Sequence, residues 1–173
     1  MKTYGVWFSP DYVIPPANIT FMLQDDTTWA KKKLGASQST IGGSGCLLTC
    51  IAVSMNYLDS SNMCTPASVN DSLLVKDGLT KNGLVVWSKI QSTFSSFTYS
   101  YSNSVTSDDI TSDLQHGLLP IVGVGQNGIA HWVLIIGSTN NDFVVMDPLN
   151  HDKTPTRLSA YGKVFAYRVI KKI

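Results

Sequence analysis

The sequence predicts an α+β fold, in which helices come first and an antiparallel sheet follows. Helix-capping residues and uninterrupted apolar segments precede Gly117, and short apolar runs separated by polar turns follow it. With 173 residues, the chain is long enough for one domain with its own core and short for two. We therefore expect an N-terminal arm at residues 1–19 and one domain at residues 20–173.

Composition excludes several classes of function. Charged residues make up 14% of the chain and the net charge is +1, so no basic surface for nucleic acid is expected. No apolar run reaches the roughly 20 residues that a membrane span requires, so no transmembrane segment is expected. The N-terminus lacks the apolar core of a signal peptide, which predicts synthesis in the cytosol. A polar surface built from Ser, Thr and Asn is typical of action outside the cell or in a virion. Oligomeric state is not readable from the sequence.

Three glycines, Gly42, Gly43 and Gly45, precede Cys46, and an apolar segment without glycine or proline follows it to Leu58. Such a segment is typical of a helix buried in a core, and glycines allow the backbone before it to turn sharply. Cys46 would then lie at a helix N-terminus, where free N–H groups stabilise an anion and a thiol ionises readily. This favours a nucleophilic cysteine over the alternative, a buried structural cysteine.

Caps and apolar runs predict the remaining elements. Thr65 and Pro66 are typical of a helix start and Gly78 of its end, and Ser107 is the expected cap of another helix that stops at Gly117. The pattern further predicts a helix at 85–94, a strand or loop within 95–107, and strands at 119–124, 131–136, 143–147 and 164–170.

His131 opens one of these strands and Asp147 ends the next one. A turn centred on Asn140 would place two cross-strand pairs opposite each other, namely Gly137–Phe143 and Val133–Asp147. His131 and Asp147 would then be diagonal neighbours on one face of the sheet, within reach of each other. A slip of one residue would put them on opposite faces.

An aspartate that orients a histidine, which in turn serves a cysteine, is the arrangement of thiol catalysis. Taken alone, His131 could be a hydrogen-bonded core histidine and Asp147 a turn cap. Together with Cys46, they favour a hydrolytic site.

Neither a metal nor a cofactor is expected. Cys46 and Cys50 lie four residues apart on one predicted helix, and Cys64 is more distant, which is not a zinc-binding spacing. The glycines from Gly123 to Gly128 have the spacing of a dinucleotide-binding loop, but a strand follows them where that loop requires a helix. Cys50 and Cys64 are expected to be core thiols.

Several blocks of the sequence resemble the papain-like cysteine peptidases, most nearly the bacteriocin-processing peptidases that cleave double-glycine leaders and their relatives in bacteria and phages. The resemblance covers residues 20–148. It rests on a Gln-x-Asp-x-x-Trp segment at 24–29, a glycine-rich cysteine loop at 40–46, and blocks at 117–122, 131–133 and 145–148.

The resemblance implies a papain-like fold, with Cys46 as nucleophile, His131 as general base and Asp147 as the residue that orients it. It also implies that Gln24 donates to the oxyanion beside the backbone N–H of Cys46. Leu47 and Leu48 depart from the Gly-Pro that relatives often carry, which bears on the shape of the substrate groove.

We therefore expect a thiol hydrolase that cuts peptide bonds. Cell-wall peptides are the favoured substrate, and a leader peptide or a virion precursor are the other candidates. A structural or binding module of a virion or tail, built on a peptidase fold, is the alternative from another class, because a fold does not determine a function.

Overall fold

The computed structural model describes residues 18–126 and 128–173. The expected N-terminal arm lies outside the described residues, apart from its last two positions. The described helices are α1 (Ile41–Ser44), α2 (Cys46–Leu58), α3 (Pro66–Val75), α4 (Ile90–Thr93) and α5 (Ser107–Gln115). The strands are β1 (Phe97–Ser102), β2 (Pro120–Gln126), β3 (Ile129–Ser138), β4 (Phe143–Met146), β5 (Thr156–Arg157) and β6 (Val164–Lys172).

The six strands form one antiparallel sheet in the order β1-β6-β2-β3-β4-β5. Most of the helical residues precede the sheet, so the fold is α+β, as the sequence predicts. In the described ranges, no helix is both long and apolar enough to cross a bilayer.

Helix α2 is the centre of the larger core. Ten of its 13 residues are buried, which places the helix inside the molecule rather than on its surface. On the sheet, alternate β3 residues such as Leu134 and Ile136 join this core, whereas Val133 and Ile135 join a second core shared with α5. Each fully buried Leu or Ile contributes about 1.5–3 kcal/mol, so the two cores hold α2 and the sheet in a fixed relation.

Two predicted helix boundaries were wrong. The helix expected at 85–94 is a 3₁₀ turn at Trp87–Lys89 followed by α4, because Val85 and Val86 are extended: Val85 bridges to Leu79, and the Val86 N–H donates to the Gly78 carbonyl.

The cap of α5 is Thr106 and not Ser107. The Thr106 side chain accepts from the Asp109 N–H, and the Asp109 carboxylate accepts from the Thr106 N–H. This reciprocal capping box fixes the first helical residue, Ser107, one position earlier than predicted.

The β3–β4 hairpin contains a bulge that changes the predicted register near the turn. Phe143 pairs with Ser138 and not with Gly137, so that predicted pair was wrong. The irregularity between Ile135 and Gly137 takes up one residue, and the Leu134–Met146 and Ile135–Val145 pairs have the register that a turn centred on Asn140 requires. The bulge thus separates the turn from the end of the hairpin that carries His131 and Asp147.

Candidate active site

Cys46 is the first residue of α2, and a short helical turn delivers the chain to it. Thr40 caps α1, its side chain accepting from the Gly43 N–H, and Gly45 separates the two helices. Cys46 itself is buried. Within the described part of the chain no acceptor takes the Cys46 backbone N–H, as is usual in the first turn of a helix.

Two of the glycines before Cys46 are required by close packing. A Cβ on Gly45 would lie 2.4 Å from the Ile41 carbonyl oxygen. A Cβ on Gly42 would lie 3.0 Å from Ala30, whose carbonyl accepts from the Gly42 N–H at 2.9 Å. The cysteine loop therefore lies directly against the segment that follows Gln24.

The Gln-x-Asp-x-x-Trp segment folds into a hydrogen-bonded turn that presents Gln24. The Asp26 carboxylate accepts from the Thr28 N–H at 2.9 Å. Hydrogen bonds with the backbone and the side chain of Thr28 lower the pKa of Asp26. The Trp29 indole N–H donates to the Leu23 carbonyl at 2.9 Å. Asp26 and Trp29 thus fix the backbone on both sides of Gln24.

Gln24 is buried and connects the cysteine loop to the aspartate loop. Its Nε2 donates to the Gly42 carbonyl at 2.8 Å, and its backbone N–H donates to the Pro148 carbonyl at 2.9 Å. Since a carbonyl faces the amide at Gly42, Nε2 must be the atom at that position. One N–H of Nε2 remains, and Oε1 is buried without a partner among the described residues.

His131 lies on a part of β3 that pairs on one side only with strands of the described residues. β3 pairs with β2 from Ile129 to Leu134 but with β4 only from Leu134 onward. The N-terminal half of α2 packs against this region, where the Cys50 thiol donates to the Trp132 carbonyl with an S···O distance of 3.6 Å. Cys46, one turn before Cys50, is thereby brought to His131.

His131 and Asp147 form a buried hydrogen-bonded pair, with His131 Nε2 2.7 Å from Asp147 Oδ1. Burial lowers the pKa of His131, but the hydrogen bonds with Asp147 and with Cys46 outweigh it and raise that pKa to about 9. The imidazole is therefore protonated at neutral pH. It can hold a proton between a sulfur and a substrate while the carboxylate compensates its charge.

The Asp147 carboxylate accepts three hydrogen bonds. Oδ1 accepts from His131 and from the Leu149 N–H at 2.8 Å, and Oδ2 accepts from the Tyr161 hydroxyl at 2.7 Å. Burial alone would raise the pKa of Asp147, but these bonds hold it below its ordinary value. Tyr161 was not predicted from the sequence, because it lies in an irregular connection where no periodic pattern or motif points to it.

The other two cysteines have different surroundings. Cys50 is completely buried, and burial together with the nearby Cys46 and Asp147 raises its pKa well above the ordinary value. Burial raises the pKa of Cys64 to about 11. Both are free thiols, and both are protonated at neutral pH.

The structure brings Cys46, His131, Asp147 and Gln24 together, and places the other histidines elsewhere. His116 is exposed at the end of α5, and His151 is exposed and pairs with Asp25 at 3.0 Å. Across residues 18–126 and 128–173, no cluster of three or more His, Cys, Asp or Glu side chains has the arrangement of a metal site.

No family model and no curated protein sequence matches the chain. Seven chains of solved structures match it. One is the crystal structure of a proposed C39-like peptidase from Bacillus anthracis, with a TM-score of 0.57 and 10% identity over 90% of this chain and 96% of that chain. At this identity the likeness shows a shared fold, in agreement with the papain-like peptidase fold expected from the sequence.

Proposed function

We propose that the protein is a cysteine peptidase that cuts peptide bonds with Cys46, His131, Asp147 and Gln24. The observation that carries this proposal is the position of Cys46 at the start of a buried helix, beside a histidine that a carboxylate holds at 2.7 Å. A buried polar chain of this kind is costly to maintain, which supports a catalytic role for it.

The reaction begins with the thiol proton already on His131, and the Cys46 sulfur attacks the carbonyl carbon of the scissile bond as a thiolate. The C=O electrons move to oxygen, and the resulting oxyanion accepts from the Cys46 N–H and the remaining Nε2 N–H of Gln24. The tetrahedral intermediate collapses and breaks the C–N bond. His131 gives its proton to the departing amine, and a thioester to Cys46 remains.

Hydrolysis of the thioester repeats these steps with water. His131 removes a proton from water, which attacks the thioester carbonyl, and keeps this proton while the C–S bond breaks and the Cys46 sulfur leaves as a thiolate. Asp147 holds the imidazole in one orientation through both halves and stabilises its positive charge. A pKa of His131 near 9 supports this scheme, because the proton that the leaving amine needs is already in place at neutral pH.

Gln24 suits its proposed role because hydrogen bonds fix its side chain and its backbone in one orientation. The Gly42 carbonyl and the Pro148 carbonyl fix the amide and the backbone of the residue. A donor that is already oriented needs no reorganisation when charge develops on the substrate oxygen. The Asp26–Thr28 and Trp29–Leu23 bonds support the same turn.

For the substrate, we propose a cell-wall peptide first, with a protein precursor as the next class to be tested. The low fraction of charged residues, 14%, and a surface rich in Ser, Thr and Asn support action on a polar extracellular polymer.

Leu47 and Leu48 stand where related peptidases often carry Gly-Pro. Leu48 packs in the larger core and Leu47 is half-buried against it, so the departure from Gly-Pro at these positions serves packing.

The experiment that tests the proposal is hydrolysis of purified cell-wall muropeptides and of a mixed peptide library, with release of new amino groups as the readout. We expect turnover by the native chain and none by Cys46→Ala, and Cys64→Ala is the matched control that should retain activity. Absence of turnover by the native chain on both substrate sets would contradict the proposal and favour a binding module on the same fold.

A further inference from the structure

We propose that Tyr161 is a positioning residue that holds the Asp147 carboxylate in the orientation His131 requires. This inference rests on the proposed function and adds a fifth residue to the proposed site. Its hydroxyl lies 2.7 Å from Asp147 Oδ2, and the Thr156 hydroxyl lies 3.2 Å from the Tyr161 oxygen.

The direction of these hydrogen bonds follows from the available protons. An ionised carboxylate can only accept, so the Tyr161 hydroxyl donates its single proton to Asp147. The Thr156 hydroxyl must then donate to the phenol oxygen, which has no proton left to give. The result is a directed chain from Thr156 through Tyr161 to Asp147 and on to His131 and Cys46.

The connection that carries Tyr161 is anchored at several points. The Gly162 N–H donates to the Gly125 carbonyl at 2.8 Å, which ties the residue after Tyr161 to the end of β2. The Tyr161 N–H donates to the Leu158 carbonyl at 3.1 Å, and the Ser159 hydroxyl donates to the Asp142 carboxylate. The phenol is therefore held from its backbone as well as from its hydroxyl.

The bonds to Asp147 divide between its two oxygens in a way that prevents rotation. Oδ1 accepts from His131 and the Leu149 N–H, so without Tyr161 the second oxygen would have no partner among the described residues. The Tyr161 ring also lies beside the imidazole, with ring centroids 6.5 Å apart and planes inclined by 33°. The hydroxyl thus orients the carboxylate, and the ring lies next to the imidazole that this carboxylate holds.

The chain provides a matched control at a distance from the site. The Tyr167 hydroxyl donates to the Asp113 carboxylate of α5, so it makes the same kind of tyrosine–aspartate bond as Tyr161, and Tyr167 is buried. Tyr167→Phe therefore reports the cost of losing such a bond without touching His131 or Cys46. Tyr161→Phe removes the hydroxyl and keeps the ring.

We expect Tyr161→Phe to lower kcat about tenfold with little change in KM, since a hydrogen bond to a charged group is lost while no substrate contact changes. We also expect the acid limb of the pH–rate profile to move to higher pH by about half to one unit, because one of the bonds that keep Asp147 ionised is gone. Tyr167→Phe should change neither kcat nor the pH–rate profile. If Tyr161→Phe matches Tyr167→Phe in both kcat and the pH profile, the proposal is overturned.

The same variants distinguish this proposal from the proposed function. If the native chain hydrolyses no peptide, the pH dependence of Cys46 alkylation by iodoacetamide replaces the rate profile. The shift should then appear there in Tyr161→Phe and be absent in Tyr167→Phe, and its absence from both would overturn the positioning role. Should Tyr161→Phe fail to fold, Thr156→Val serves instead, with the same direction and a smaller shift, and an unchanged profile in that variant counts against the proposal.

Discussion

Cys46 and Cys50 lie four residues apart on α2, and their surroundings give them different chemistry. Cys46 begins the helix, with a backbone N–H for which the described residues offer no acceptor and with an interaction with His131. Cys50 is one turn further in, completely buried, and bonded to the Trp132 carbonyl. The same residue type is a candidate nucleophile in one place and a packing and positioning group in the other. Position relative to the helix start and to the unpaired edge of β3 makes the difference.

The largest loss of kcat/KM should follow the removal of the imidazole that interacts with Cys46 and not with Cys50. We expect His131→Ala to reduce kcat/KM by at least about 10³-fold, because neither proton transfer can occur without the imidazole. The double variant with Cys46→Ala should be no worse than Cys46→Ala alone, since the two residues act as a unit. His151→Ala, which changes an exposed histidine, is the control. If His131→Ala kept its activity, His131 would not be the general base.

The next effect concerns the oxyanion donor. Gln24→Ala should lower kcat by about 10²–10³-fold and leave KM nearly unchanged, because the donor acts on charge that exists only in the transition state. Alkylation of Cys46 builds no oxyanion and should proceed at the native rate. The exposed Gln38→Ala is the control. Equal losses of hydrolysis and alkylation in Gln24→Ala would indicate a disturbed site and not a missing donor.

A smaller and more gradual effect should appear in the dependence of kcat/KM on pH. Because the pKa of His131 is raised to about 9, we expect kcat/KM to fall about tenfold for each unit above pH 9, as the imidazole loses the proton that the leaving amine needs. The same shift stabilises the folded chain. Its contribution is complete below the ordinary histidine pKa of 6.5 and is lost as the pH rises through about 9. An alkaline limb near pH 7 would show that Asp147 and Cys46 do not act on His131 in this way.

Local sequence signals predicted much of the fold. Thr65 and Pro66 start α3 as expected, and the helix after Cys46 ends at Leu58 as its apolar segment does, because caps and apolar runs act within a few residues. The extended backbone of Val85 and Val86 was not predicted, because it depends on pairing with Leu79 and Gly78, and such tertiary contacts override helical propensity.

The site likewise contains residues that local sequence patterns predict and one residue that only tertiary contacts bring to it. Cys46 and Gln24 belong to contiguous motifs, and His131 and Asp147 belong to one hairpin, so a pattern of spacing could point to all four. Tyr161 reaches Asp147 only through a 3₁₀ turn at Leu158–Ala160 and a backbone bond from Gly162 to Gly125. The bulge after Ile135 was not predicted either, since an extra residue in a strand leaves the apolar alternation nearly unchanged.

The most direct test of the contrast between the two cysteines is the rate of iodoacetamide alkylation of each thiol in the native chain at pH 7, followed by peptide mass spectrometry. We predict that Cys46 reacts at least about 100-fold faster than Cys50 or Cys64, because the pKa of Cys50 is raised by burial and that of Cys64 is about 11. Equal rates at the three thiols, or alkylation of Cys46 only after denaturation, would contradict a nucleophilic site at the start of α2.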